Sequence, residues 1–226
     1  MTVALDHSSH AVLVREKRIA KARKIAAILS MHGVPFVGKR LLDVGTGGGF
    51  IAEHFMRLGS FVTAVDRDNQ LPPGSAVDLR IATDVLPFDS GSFDIVISNH
   101  VIEHVGPNAH EAHLREVARV VRPGGVVYVA TPNRWTIGLE PHFKLPLISW
   151  PPRSLRPKWY DVWPLSRGEL VRRSRSAGLT PIDVTGEAMR LMGAELPSPI
   201  GRLVARAPLW LGSLPVIPSL VFLLKR

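Results

Sequence analysis

The chain contains no cysteine in its 226 residues. That absence excludes a disulfide framework, a cysteine nucleophile, a thiolate zinc site and a cysteine-ligated iron–sulfur cluster. The amino-terminal stretch carries basic residues with no apolar core segment behind them, so no secretory signal is expected and the cytoplasm is the expected compartment. No metal is expected either, because Glu103 and His104 are sequence neighbours that do not share a helix face and no third ligand is spaced to join them. Acidic side chains are the scarcer charge, with Asp+Glu 19 against Lys+Arg 28 and a net +9. Such an excess fits nucleic acid, an anionic membrane surface or an anionic substrate, or a merely solubilising surface. Apolar residues, at 46%, suffice for one large domain with a filled core.

The chain is organised around Leu41-Leu42-Asp43-Val44-Gly45-Thr46-Gly47-Gly48-Gly49-Phe50. An apolar run that breaks into alternating glycines predicts a strand turning sharply into a helix, because glycine permits the backbone angles and the close ligand approach such a turn needs. Phe50, Ile51, Phe55 and Leu58 then fall at helical spacing, Gly59 stops the helix, and Phe61–Val65 predicts the next strand. Asp66, followed by Arg67, sits at that strand's tip, where a carboxylate can accept from both hydroxyls of a ribose. The pattern D-x-G-x-G-x-G departs from the dinucleotide fingerprint G-x-G-x-x-G, although Gly47, Gly49 and Ala52 fit the looser G-x-G-x-x-A. Asp43 weighs against phosphates, which it would repel, and for an amino group. These residues resemble motif I of the class I methyltransferases, which bind S-adenosylmethionine (SAM). The resemblance implies that Asp43, Gly45, Thr46, Gly47, Gly49, Asp66 and Arg67 hold the cofactor.

Before this stretch, residues 10–31 predict a helix whose stripe is Val12, Ile19, Ala22, Ala26 and Leu29. Its basic face, Arg15, Lys17, Arg18, Lys21, Arg23 and Lys24, is read as solvated charge, with contact to anionic lipid as the alternative. In the resembled family a helix here covers the cofactor. After it, Val77–Ala82 predicts a third strand, and the resemblance assigns adenine to Asp84 and Val85 at its end. Residues 86–98 resemble the family's run into its fourth strand. Asn99-His100-Val101-Ile102-Glu103-His104-Val105 follows, where a parallel sheet presents its ligands, so Asn99 joins the cofactor set. This segment lacks the N/D-P-P-Y/F sequence of amino-group methyltransferases and resembles the V-x-E-H segment of small-molecule O-methyltransferases of the quinone-biosynthesis type. A hydroxyl acceptor needs a base, for which His104 is favoured over His142 and His100.

Asn108 is expected to cap a helix with Leu114, Val117 and Val121 as its stripe and His110 and His113 on its surface, ended by Arg122–Gly125. Val126–Thr131 predicts a fifth strand and Pro181–Thr185 a sixth, after a helix capped by Ser166. Residues 134–163 hold Trp135, Trp150, Trp159 and Trp163 among prolines and cations, and predict a lid over the acceptor. Ala207–Leu224 is uncharged, but Pro208, Pro215 and Pro218 argue against a spanning helix. Residues 188–216 form an apolar and basic insert suited to an anionic membrane surface, and residues 219–225 the last, antiparallel strand that the family requires. The expected architecture is a single α/β domain, residues 1–226: a Rossmann-like, doubly wound seven-stranded sheet, mostly parallel. The expected activity is SAM-dependent O-methylation of a small or lipid-linked acceptor such as a sugar, glycolipid or quinone-like molecule. An RNA methyltransferase is the weaker alternative, since no RNA-binding motif is present, and a non-catalytic SAM-binding protein is a third.

Overall fold

Strand-forming runs that alternate with helical stripes build one sheet covered on both faces. The computed structural model describes residues 7–82, 84–137, 145–196, 198–214 and 217–226. The strands are β1 (Arg40–Val44), β2 (Phe61–Asp66), β3 (Asp78–Ile81), β4 (Phe93–Asn99), β5 (Val121–Pro132), β6 (Thr180–Asp183) and β7 (Ser219–Lys225). Their order is β3-β2-β1-β4-β5-β7-β6. Pairs among β1 to β5 are parallel, and β7 runs antiparallel to both β5 and β6. The helices are α1 (His7–Met31), α2 (Phe50–Arg57), α3 (His110–Val120), α4 (Arg167–Ser176), α5 (Thr185–Glu195) and α6 (Pro199–Arg206).

The period of two along β4 and β5 divides the core. Ile95, Ile97, Val126, Tyr128 and Ala130 pack with Ile25, Ala26, Ile28 and Leu29 of α1. Their alternates, Val96, Val127 and Val129, pack with Leu114 and Val117 of α3 and Leu170 of α4. The expected α1 stripe is buried at Ala22, Ala26 and Leu29, and Ile25 and Ile28 join it. The basic face of α1 is divided: Arg15, Lys17, Arg18 and Arg23 are exposed, while Lys21 and Lys24 are half-buried and Lys24 pairs with Glu195 of α5 at 3.0 Å.

Three local expectations are corrected. Ala109, not Asn108, is the N-cap of α3, and no side chain caps it. The helix ends at Val120, and Val121 already pairs with Phe93 as the first residue of β5, so its burial belongs to the sheet. His110 and His113 are not surface residues. His110 is 4% exposed, and His113 Nε2 lies 2.9 Å from the buried Ser98 Oγ. Both point from α3 towards β4 and α4, where a polar side chain is kept only if its uncharged form is favoured. The expected cap at Ser166 is present as a full capping box with Glu169.

The uncharged run 207–224 is split between a 3-10 turn, Leu209–Ser213, and β7. Among the described residues no helix is long and apolar enough to cross a membrane. Between β6 and β7, α5, α6 and the turn pack through glycines. A Cβ on Gly186 would lie 2.4 Å from the Leu209 carbonyl oxygen, and one on Gly193 2.6 Å from the Ala205 nitrogen. Because Gly186 meets backbone rather than a side-chain tip, Gly186→Ala should lower the stability read by chemical denaturation by about 1–3 kcal/mol.

Candidate active site

β1 to β4 are parallel, so the segments that follow them emerge along one edge of the sheet. That edge gathers the loop Gly45–Gly49, Asp66 with Arg67, Asp84 with Val85, and Asn99 to His104. The glycine loop is held in left-handed conformations at Gly45 (φ 70), Gly47 (φ 53) and Gly49 (φ 78), which a side chain would strain. Gly45 carries a second constraint, since a Cβ there would meet Val101 Cγ2 at 2.4 Å. The turn after β1 therefore touches the turn after β4.

Asp66 closes the loop from the other side. Its Oδ2 accepts from the Gly47 N–H at 2.7 Å, and its Oδ1 from the Arg67 N–H at 2.7 Å. Asp43 lies beneath, 1% exposed, and accepts from Thr46 Oγ1 at 2.7 Å. Burial pushes its carboxyl up to about 7, against the opposing hydrogen bonds from Thr46 and the Ala52 backbone. A cationic amino group beside it would favour the ionised form. At the far end of this edge Asp84 and Val85 are exposed. They are placed by α3: Arg119 donates to the carbonyls of Leu86 (2.8 Å) and Phe88 (2.6 Å), and Glu116 accepts from the Leu86 N–H at 2.9 Å.

Beyond β4, Asn99 is buried and His100 turns into the left-handed region at φ 58, uncommon for a residue with a side chain. This turn brings His100 Nδ1 to 3.0 Å from Oε1 of Glu103, while Thr131 Oγ1 donates to Glu103 Oε2 at 3.1 Å. Glu103 is fully buried. Burial works against its charge, yet the hydrogen bond and positive charge of His100 hold its carboxyl below the usual range. When His100 gives up its proton, an ionised Glu103 accepting from Nδ1–H keeps the remaining proton there and leaves Nε2 as the basic nitrogen. His104 follows as the one exposed residue of a 3-10 turn, Ile102–His104. His142 lies outside the described residues.

Asn99 and His100 also line a cavity of about 180 Å³ between α1, α5 and the sheet. Its other walls include Ile28, Tyr128, Ala188, Met189 and Met192, with Lys21 and Lys24 among the lining. A larger concavity, about 440 Å³, lies around Arg40, Phe61 and Phe93 at the strands' amino ends, away from every residue above. The tryptophan-rich segment is tied within itself, where Trp150 Nε1 donates to the Thr136 carbonyl at 2.8 Å, and to the 3-10 turn, where the Trp163 N–H donates to the Glu103 carbonyl at 2.8 Å. Residues 138–144, part of the expected lid, lie outside the described residues. The Glu103–Thr131 contact and the lysines facing the cavity escaped the sequence reading. The missed signal for the lysines was Ile25 and Ile28, which rotate the buried face of α1 towards them.

Residues 42–129 match the methyltransferase domain family. The chain is 35% identical over 164 residues to a ubiquinone biosynthesis O-methyltransferase of Chelativorans sp. (strain BNC1), covering 67% of this chain and 63% of that protein. A protein of the same name from Cereibacter sphaeroides is 33% identical over 167 residues, covering 68% and 65%. The chain thus spans less than two thirds of the length of these relatives. In fold it is similar to the 1,6-didemethyltoxoflavin-N1-methyltransferase of Burkholderia thailandensis, solved with S-adenosylhomocysteine, at TM-score 0.57 and 20% identity over 97% of this chain and 83% of that one. A SAM-dependent methyltransferase of Mesorhizobium loti aligns at TM-score 0.58 and 17% identity over 85% and 93%.

The buried ionisable groups make stability depend on pH with opposite signs. Burial lowers both His110 and His113 to about 4 from 6.5. The unfolded chain then holds the extra protons, so stability rises as pH climbs from 4 to 6.5. Asp43, raised from 3.8 to about 7, holds a proton in the folded state that the unfolded chain has lost, so its contribution falls across that interval and levels off above 7. Two protons against one give a net gain up to 6.5 and a decline between 6.5 and 7. Thermal unfolding of the ligand-free protein should show this maximum, and Asp43→Asn should remove the decline and stabilise the protein at pH 8 by up to about 4 kcal/mol.

Proposed function

We propose that this chain, whose residues 42–129 match the methyltransferase domain family, transfers the methyl group of SAM to a ring hydroxyl of a quinone-like small molecule. The observation that carries the reading is the meeting, through Gly45 and Val101, of the Asp66-closed glycine loop with the His100–Glu103 pair. The residues of the edge fit SAM. Asp66 would exchange its Gly47 and Arg67 partners for, or share them with, the ribose hydroxyls, Asp43 would attract the amino group, and Asp84 with Val85 would face adenine. Thr46 and the three glycines would let the loop approach the methionyl part, and Asn99 would border the sulfonium.

SAM supplies an activated methyl on a sulfonium. The acceptor oxygen forms the new C–O bond as the C–S bond breaks, both electrons of that bond remain on sulfur, and the hydroxyl proton passes to a base. His100 has the better support as that base, although His104 was favoured by sequence. His100 lines the cavity and is oriented by a buried carboxylate, whereas His104 is itself exposed. Alignment of the two centres in a dry site accounts for on the order of 7–11 kcal/mol of barrier reduction in well-oriented reactions.

The acceptor is met at an anionic membrane surface. Ile200 and Leu203 of α6 are 70% and 73% exposed, Trp210 is 64% exposed, and Arg202 and Arg206 share the same short helix. Met192, 41% exposed, belongs both to the exposed apolar set and to the cavity lining. An apolar surface flanked by arginines suits the interface of anionic lipid.

Isotopically labelled SAM should transfer label to dihydroxylated ring acceptors, and Asp66→Ala should weaken SAM binding by roughly 1.5–3 kcal/mol in calorimetry. His100→Ala should preserve that affinity and lower turnover about 10²–10⁴-fold, with a smaller loss for His104→Ala; label appearing in RNA alone would replace the acceptor class. Separately, the protein should sediment with anionic vesicles in a salt-sensitive manner, and Leu203→Asp should abolish this. Binding that survives both high salt and the substitution would remove the membrane reading.

A further inference from the structure

Thr131 is fully buried near the carboxyl end of β5. It continues the row of Val127 and Val129, whose side chains pack on the α3 side of the sheet. A valine there would have almost the same shape and would carry no hydroxyl into an apolar core, where an unpaired hydroxyl is costly. The hydroxyl is instead occupied by Glu103: Thr131 Oγ1 donates to Glu103 Oε2 at 3.1 Å, and both side chains are buried.

His100 is tied to neighbouring residues of β5 by two separate routes. Its N–H donates to the Ala130 carbonyl at 2.8 Å, and its ring reaches Thr131 through Glu103, with Nδ1 3.0 Å from Oε1. The first route fixes the backbone, which sits at φ 58, and the second fixes the ring. Thr131 is stiff enough for this. Its backbone is held in the ladder with β7, opposite Leu220, and a β-branched side chain has few rotamers. A glutamate carboxylate, by contrast, turns easily about its last bond. A donor on Oε2 stops that rotation and so decides where Oε1 points. The Glu103 backbone is set independently, since its carbonyl accepts from the Trp163 N–H at 2.8 Å.

We propose that Thr131 is a positioning residue for methyl transfer: through the far oxygen of Glu103 it sets the orientation and basicity of the His100 imidazole, without touching cofactor or acceptor. This role depends on the reading of His100 as the base of a methyltransferase. During transfer the acceptor's hydroxyl proton passes to Nε2 and leaves both ring nitrogens of His100 protonated. An ionised Glu103 offsets that positive charge, and neither Glu103 nor Thr131 gains or loses a proton. His100 already holds the Glu103 carboxyl below its usual range, and the Thr131 hydroxyl supports the same ionised form. The other ionisable groups around the pair are untouched by a change at Thr131. Lys21, Lys24 and Tyr128 line the His100 cavity, and His104, His110 and His113 interact electrostatically with Glu103. Loss of the hydroxyl lets the carboxylate turn and makes its ionised form less favourable, so His100 gives up its proton at a lower pH.

Thr131→Val removes the hydroxyl and keeps the shape, while Thr131→Ser keeps a hydroxyl. Ligand-free protein with ¹³C- and ¹⁵N-labelled histidine should be titrated by NMR, the His100 signals being assigned from their loss in His100→Gln. In Thr131→Val the His100 titration is expected about half to one pH unit lower than in the unaltered protein. The proton of the neutral ring should no longer be confined to Nδ1. Thr131→Ser should return both readings, and calorimetry should find the same S-adenosylhomocysteine affinity in all three proteins. With catechol as acceptor, Thr131→Val should lose roughly tenfold in kcat at an unchanged acceptor KM, with the rising limb of its pH profile moved to lower pH. An unmoved His100 titration in Thr131→Val, or no recovery in Thr131→Ser, overturns the proposal whatever the activity. Full turnover by His100→Gln would overturn the base assignment and the role of Thr131 with it. Failure of S-adenosylhomocysteine to bind the unaltered protein would instead overturn the methyltransferase reading.

Discussion

The ladder between β1 and β4 is the constraint on which the rest depends. Leu41 to Val44 pair in parallel with Ile95 to Ser98, although two strands lie between them in sequence. The chain winds outward from β1 to β3, then crosses back to start the other half at β4. At such a reversal the two neighbouring connections leave the sheet on opposite faces, which opens a crevice at the strands' carboxyl ends. Here the crevice is tightened to van der Waals contact between Gly45 and Val101. Two segments with different chemistry, a glycine loop under a carboxylate and a histidine over a buried glutamate, are thereby made neighbours.

Buried ionisable groups concentrate around this crevice and on the α3 side of the sheet. Asp43 and Glu103 are both buried carboxyls, yet their protonation equilibria move in opposite directions. Desolvation dominates at Asp43, whose protein partners are a hydroxyl and a backbone amide. At Glu103 a histidine supplies both a hydrogen bond and a positive charge, enough to overcome burial. The difference lies in the partner's charge: an ion pair can offset lost hydration where neutral donors only reduce it. Asp43 is therefore suited to a cation brought by a ligand, while Glu103 already has its partner within the fold. His110 and His113, held neutral by burial, lie on α3 outside the crevice.

The two faces of the sheet serve different ends. On the α3 and α4 face the core is continuous, and the loop carrying Asp84 and Val85 is fastened to it through Arg119 and Glu116. On the α1 and α5 face packing is complete only near the middle of the strands, where Ile25, Ile28 and Leu29 meet Ile95 and Ile97. Elsewhere α5 is drawn against the 3-10 turn through Gly186 and against α6 through Gly193. A space remains between α1 and α5, lined by Asn99, His100 and the two lysines.

The sequence by itself determined the strands and most of the helices, because periods of 2 and 3.6 residues are local properties. Glycines at 45, 47 and 49 with acids at 43 and 66 were legible for the same reason: a sharp strand-to-helix turn and a strand tip are short-range features. Ser166 with Glu169 likewise declared its own cap. What the sequence could not supply was which face a residue would present to a partner distant in the chain. His110 and His113 looked solvent-facing at i, i+3 and became buried only because β4 and α4 close over α3. The lysines of α1 looked uniformly solvated, yet Ile25 and Ile28 turn Lys21 and Lys24 towards α5. His104 stood out by its neighbour in sequence, whereas His100 was singled out by a positive φ and by Thr131 fixing the far oxygen of Glu103, 28 residues away in the chain. These are contacts between elements, set by the strand order, and no local pattern encodes them.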